Sequence, residues 1–105
     1  MTDIDAAARR MTELETRAED AVALLAAMAN PKRLLILCHL LQQELSVGEL
    51  SRLVGLEQSP LSQHLARLRA LKLVSFRRAG QSVYYRLASD DVTKLLATLY
   101  DIYCT

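Results

Sequence analysis

The chain has 105 residues, of which 51% are hydrophobic, 24% charged and 5% aromatic, with three Gly and two Pro. That is enough for one domain of about 100–150 residues, and the balance excludes a disordered, collagenous or mucin-like protein. The net charge of +1 hides a split: residues 1–20 hold six acids and three bases, whereas residues 58–89 hold Arg67, Arg69, Lys72, Arg77, Arg78 and Arg86 and no acid.

Residues 1–11 lack periodicity and are expected to be a flexible tail, leaving 12–105 as one domain. Leu14, Ala18, Ala21, Val22, Leu25 and Met28 then recur at helical spacing and predict an amphipathic helix. Asn30-Pro31 ends it and starts the next, because the residue before Pro avoids the α region, Asn is a good N-cap and Pro a good first helical residue. The second helix, with Leu34, Leu35, Ile36, Leu37, Cys38, Leu40 and Leu41, is apolar nearly all round, which marks a helix enclosed by its neighbours. Ser46-Val47-Gly48-Glu49 reads as a capping box opening a short helix that Gly55 ends. Ser59-Pro60 is expected to cap and start a fourth helix, whose inner stripe is Leu61, Leu65, Leu68 and Leu71.

Two short helices joined by a tight turn is helix-turn-helix grammar. The alternating runs 73–78 and 82–87, separated by Ala79-Gly80-Gln81, predict an antiparallel hairpin with Arg77 and Arg78 at its tip. Ser89-Asp90-Asp91 opens a last helix with Val92, Leu95, Leu96, Leu99, Ile102 and Tyr103 on one side. The expected fold is mainly α with a small β-hairpin wing, in the order ααααββα.

A polar-faced helix, preceded by a short capped helix and followed by an Arg-bearing hairpin, is how a winged helix-turn-helix meets duplex DNA. The candidate DNA-binding residues are Ser46, Gln58, Ser59, Ser62, Gln63, His64, Arg67, Arg77, Arg78 and Gln81. Gln63 suits bidentate pairing with adenine, Arg67 suits guanine or phosphate, and the hydroxyls suit phosphates or base edges. His64 reads as a neutral hydrogen-bonding group. A solvated amphipathic helix would not by itself clear the acids from residues 58–89, although a helix-turn-helix that docks on a protein stays an alternative.

The apolar stripes near the two chain ends cannot both be covered in so small a monomer. A homodimer through Leu14, Val22, Leu25, Leu95, Leu99 and Tyr103 is the expected remedy. Apolar runs such as Leu34 to Cys38 fall far short of the ~20 residues of a membrane span, and the acidic, Ala-rich start has no signal-peptide pattern. The expected location is therefore the cytoplasm, with no membrane partner.

Cys38, His39 and Cys104 have the wrong spacing for a zinc finger and lack a fourth ligand. No nucleophile, base and orienting partner are grouped as catalysis requires. Neither an enzyme, a metal nor another cofactor is expected. Cys38 has Leu34, Leu35, Leu41 and Gln42 as its helical neighbours, the setting of a core cysteine, while Cys104 ends a helix three residues after Asp101.

Several motifs, in order, carry a family likeness: 29-Ala-Asn-Pro-Lys-Arg-Leu-34, 45-Leu-Ser-Val-Gly-Glu-Leu-50, 58-Gln-Ser-Pro-Leu-Ser-Gln-His-Leu-65, Leu68-Arg69 and 83-Val-Tyr-Tyr-Arg-Leu-87. Over about residues 12–105 the sequence resembles the ArsR family of bacterial transcriptional regulators. The resemblance implies a homodimeric winged helix whose first and last helices form the interface and whose recognition helix binds an inverted-repeat, usually AT-rich operator. The family's metal sensors place cysteines where this chain has Ser46 and Gly48, or Asp and His along the last helix, where it has only Asp90, Asp91 and Asp101.

What remains is similar to the branch that senses reactive sulfur or redox state, the SqrR, BigR and HlyU type. For Cys38 and Cys104 the resemblance implies a dithiol switch, driven by reactive sulfur species or oxidants, in what is expected to be a repressor. A metal-responsive repressor with an unrecognised site is the other alternative.

Overall fold

The computed structural model describes residues 3–104. The elements are α1 (Asp3–Thr16), α2 (Ala18–Met28), α3 (Pro31–Gln42), β1 (Leu45–Ser46), α4 (Val47–Val54), α5 (Gln58–Ala70), β2 (Val74–Ala79), β3 (Ser82–Leu87) and α6 (Asp90–Tyr103). This is the winged helix-turn-helix expected from the sequence, with two additions. The predicted first helix is interrupted at Arg17 and extends back to Asp3, and a two-residue strand precedes α4.

The irregular tail expected over 1–11 is therefore corrected to helix from Asp3 onward; residues 1 and 2 lie outside the described residues. No residue of α1 is buried. Its large apolar side chains Ile4, Met11 and Leu14 stay exposed, so the helix presents no fully packed face within this chain. No single helix among the described residues is long and apolar enough to cross a membrane, and α2 and α3 meet at a bend of 90°.

The start of α3 organises its surroundings. Asn30 Oδ1 accepts from the backbone N–H groups of Lys32 and Arg33, both at 3.0 Å, and Pro31 occupies N1, where no amide donor is needed. Lys32 Nζ donates to Val54 O at 2.6 Å, satisfying a carbonyl at the end of α4. Beyond that first turn Ile36, Leu37 and Leu40 are buried with Leu50, Leu61, Leu65, Leu68, Val92 and Leu96 in one core.

The capping box is present. Glu49 N–H donates to Ser46 Oγ at 3.1 Å and Ser46 N–H to the Glu49 carboxylate at 3.0 Å. Gly55 ends α4 at φ 66°, the left-handed conformation that costs glycine nothing. The following helix starts earlier than expected: Glu57 is its N-cap, Ser59 and Pro60 lie in its first turn, and Leu61 N–H closes the first bond to Glu57 O at 3.1 Å. Pro60 is tolerated there because the first amides of a helix have no intrahelical acceptor.

At the other end of α5, Leu73 N–H bonds Leu68 O at 3.0 Å and Lys72 N–H bonds Arg69 O at 2.9 Å. This is the Schellman closure, with Lys72 in the left-handed position at φ 61° that glycine usually fills.

The sheet order is β1-β3-β2, all antiparallel. Ala79 pairs with Ser82 across a two-residue tip of Gly80 and Gln81, and Gly80 takes φ 63°. A positive φ at the first tip position is the demand of a type II′ hairpin turn. Leu45 and Ser46 pair with Tyr85 and Tyr84, so the segment that caps α4 is also the third strand of the wing.

Candidate nucleic-acid interface

With Leu61, Leu65 and Leu68 fixed in the core, helical periodicity points Ser59, Ser62, Gln63, Ala66 and Arg67 the opposite way, and all five are exposed. Gln58, Ser59, Ser62, Gln63 and Ala66 line one shallow open surface. The stripe offers hydroxyl and amide groups that can both donate and accept, edged by the Arg67 cation, and it holds no carboxylate. A helix face of this kind matches the mixed donor and acceptor edges of base pairs in the major groove.

His64 departs from this face. It is half-buried and faces inward, its Nδ1 3.4 Å from Arg33 Nη1. Burial, followed by the charges of Arg33 and Arg67, pushes its pKa below the ordinary histidine value. The neutral hydrogen-bonding character expected of it fits this setting, but its Nδ1 acceptor is directed to a protein partner and not to the outer stripe.

The wing sorts its cations unequally. The expected tip pair is corrected: the tip is Gly80 and Gln81, both exposed, and Arg78 stands opposite Val83. Arg77 is held by Glu44, with Nη2 to Oε1 at 2.6 Å and Nε to both carboxylate oxygens at 3.0 Å. Its guanidinium also lies 4.8 Å from the Tyr84 ring centroid. The bond from Arg77 holds the Glu44 carboxyl below the usual carboxylate range.

Glu44 lies outside the acid-free stretch, 33 residues from Arg77 in sequence, so a linear charge count could not find it. On the opposite wing face Arg69 and Arg78 lie 5.0 and 5.9 Å from the Phe76 ring centroid. Arg69 Nη1 also donates to the Tyr85 hydroxyl at 3.0 Å. Ser46 is engaged in its cap, so only its remaining hydroxyl capacity faces outward.

Of the expected interface residues, Leu14, Val22, Leu25 and Tyr103 are exposed, whereas Leu95 and Leu99 are half-buried and pack partly on the core. Cys38 is half-buried, Cys104 is exposed, and both thiols are free. The structure does not bring the two thiols together as a close pair. Tyr100 is near both, and its phenol pKa is raised above the ordinary value, with Cys38 the leading cause and Cys104 a lesser one. The backbone of the same residue accepts from Cys104 N–H at 2.7 Å. Among the described residues no three His, Cys, Asp or Glu side chains converge as a metal site requires.

Residues 30–75, the span from the Asn30 cap to the start of the wing, match the family described as "Bacterial regulatory protein, arsR family". The nodulation protein NolR of Rhizobium meliloti is 58% identical over 86 residues, covering 82% of this chain and 70% of its own length. The transcriptional activator HlyU of Vibrio cholerae is 48% identical over 104 residues, covering 99% of this chain and 96% of its own. The chain belongs to the ArsR family.

Solved structures of similar proteins superpose on most of it. The structure of reduced HlyU from Vibrio cholerae gives a TM-score of 0.83 at 52% identity, covering 89% of this chain and 98% of that one. The repressor BigR of Xylella fastidiosa gives 0.85 at 37% identity, with 90% and 97% covered. The chain is a DNA-binding transcriptional regulator of the ArsR type and not an enzyme.

Proposed function

We propose that this regulator is a homodimeric repressor whose operator affinity is lowered when Cys38 and Cys104 are joined through sulfur. The single observation that carries the switch is the position of Tyr100, whose phenol is influenced by Cys38 on α3 and whose carbonyl accepts from the amide of Cys104 at the end of α6. Both thiols thus flank one residue of the α3–α6 contact. Supporting it, a solved structure of HlyU, 52% identical, is described as that of the reduced protein.

The exposed Cys104 is the first target. Its thiolate takes the sulfane sulfur of a low-molecular-weight persulfide, releasing the corresponding thiol. Cys38 thiolate then attacks the inner sulfur of the Cys104 persulfide, forming a disulfide and expelling hydrosulfide. Two protein thiols are oxidised and one sulfane sulfur is reduced. Peroxide reaches the same disulfide through a sulfenic acid, with water as leaving group.

A direct disulfide requires the Cα atoms to lie within ~4.4–6.8 Å. Additional sulfur atoms relax that demand and give the site a means to separate sulfur species from peroxide. Joining the end of α6 to α3 shifts the base on which two copies meet, and with it the spacing of the recognition helices, which must match the groove repeat.

The dimer is supported by shape and surface. The radius of gyration is 16.4 Å, against about 13 Å for a compact chain of this length. Leu14, Val22, Leu25 and Tyr103 are large apolar side chains left exposed in the single chain. A two-fold dimer reads an inverted repeat.

Intact mass of protein treated with persulfide or peroxide, beside titrations of a duplex selected in vitro with the full chain, tests the switch. Cys38→Ser and Cys104→Ser should each abolish the thiol-dependent loss of binding. Retention of that loss by either variant returns Cys38 to core filling.

A further inference from the structure

Arg33 is the one charged residue among the described residues that is buried, at 9% exposure. Burial of a guanidinium normally calls for a carboxylate, yet none is among its bonded partners. Nε donates to Ala27 O at 2.6 Å and Nη2 to Ala26 O at 3.1 Å. These carbonyls close the last turn of α2, the negative end of its dipole. Nη1 faces His64 Nδ1 at 3.4 Å, the longest of the three contacts. A guanidinium has no acceptor atom, so Nδ1 must accept, and the neutral imidazole carries its proton on Nε2.

Arg33 therefore joins three elements at one point: the end of α2, the start of α3 and the middle of α5. Two of them have separate tasks, since α2 carries Val22 and Leu25 of the proposed dimer surface and α5 carries the stripe that reads DNA. We propose that Arg33 and neutral His64 are positioning residues for DNA recognition, a joint that holds the angle of α5 against α2, and that protonation of His64 opens the joint and weakens DNA binding.

Protonation would put an Nδ1–H against Nη1–H, donor to donor and cation to cation. The charged groups acting on His64 are Arg33 from α3 and Arg67 from α5 itself, both positive. From α2 the junction receives only backbone carbonyls. The depressed His64 value follows from this setting. The unfolded chain takes up the proton first, near pH 6.5, so stability is intact above that pH and declines as the pH falls towards the folded-state value.

The sign of the DNA effect separates this joint from a direct contact. A histidine on phosphate binds more tightly once charged, so affinity would rise on acidification. The joint requires it to fall.

Affinity of the fully reduced protein for the in-vitro-selected duplex is to be measured from pH 7.5 to 5.5, well below the melting temperature throughout. Wild type should lose at least threefold. His64→Asn places an uncharged acceptor close to the Nδ1 position, so it should bind well at pH 7.5 and show a flat profile. A DNA-free measurement runs beside it: the nitrogen chemical shifts of His64 should report the Nε2–H tautomer at pH 7.5.

A rise in wild-type affinity on acidification, parallel profiles for wild type and His64→Asn, or an Nδ1–H tautomer each overturns the joint. Binding at pH 7.5 checks DNA recognition itself, and the cysteine switch is held in one state by reduction, so failure of either is distinguishable from failure of the joint.

Discussion

Around α3 and α4 the helix ends meet partners within the chain: Asn30 caps α3, Lys32 and Arg33 close the ends of α4 and α2, and Ser46 with Glu49 closes the start of α4. The terminal helices differ: α1 has no buried residue, and the last turn of α6 leaves Ile102 60% and Tyr103 79% exposed. Each side-chain cap is worth about 1 kcal/mol, so the reading half is stabilised locally and many times over. The base presents apolar side chains to water and depends on what covers it.

The largest effect should come from breaking the base. Leu25→Asp is cleaner than a change at Leu99, which packs partly on this chain's own core, because Leu25 is 55% exposed and its loss leaves the fold alone. A charge there should leave a folded monomer by sedimentation, with operator affinity reduced by about a hundredfold as the second half-site contact is lost. A dimer of normal affinity would mean that α2 is not at the interface.

A smaller effect separates two parts of the reading half. Gln63→Ala should cost ~1–3 kcal/mol on a cognate duplex and much less on a random one. Arg78→Ala should weaken both alike and flatten the dependence of log K on log salt by about 0.9, one phosphate's worth. Equal behaviour of the two variants on both duplexes would erase the distinction between recognition helix and wing.

The smallest change adds stability to the reading half alone. Lys72 sits at φ 61°, where a non-glycine residue bears ~1–2 kcal/mol of strain. Glycine relieves it but gains ~0.4–1 kcal/mol of unfolded-state freedom, so Lys72→Gly should raise stability by roughly 0.5–1 kcal/mol. Thermal unfolding should shift up by a few degrees with no change in oligomeric state.

The same contrast explains what the sequence disclosed. Asn30-Pro31, Ser46 with Glu49, and Gly55 act through bonds no more than four residues long, so their types and spacing announce helix ends directly. The stripe on α5 was legible because its inner leucines and outer polar residues alternate on a helical period. β1 was hidden: two residues become a strand only because Tyr84 and Tyr85 lie alongside. The assignments of Arg77 to Glu44 and of Arg33 to Ala26, Ala27 and His64 also depend on contacts that no local pattern encodes. For the same reason His64 was read as part of the DNA face, since helical position alone does not show which neighbour faces the ring.

The two residues of β1 also decide where the chain can be lengthened. Ser46 is at once the last paired residue of the wing's third strand and the cap of α4, so a residue inserted there would shift strand register and helix start together. Gly80 and Gln81 project beyond the last paired residues, and a Cβ built on Gly80 meets nothing within 4 Å. Added length is therefore accommodated at the tip, and the wing's reach can change without disturbing the helices that read the groove.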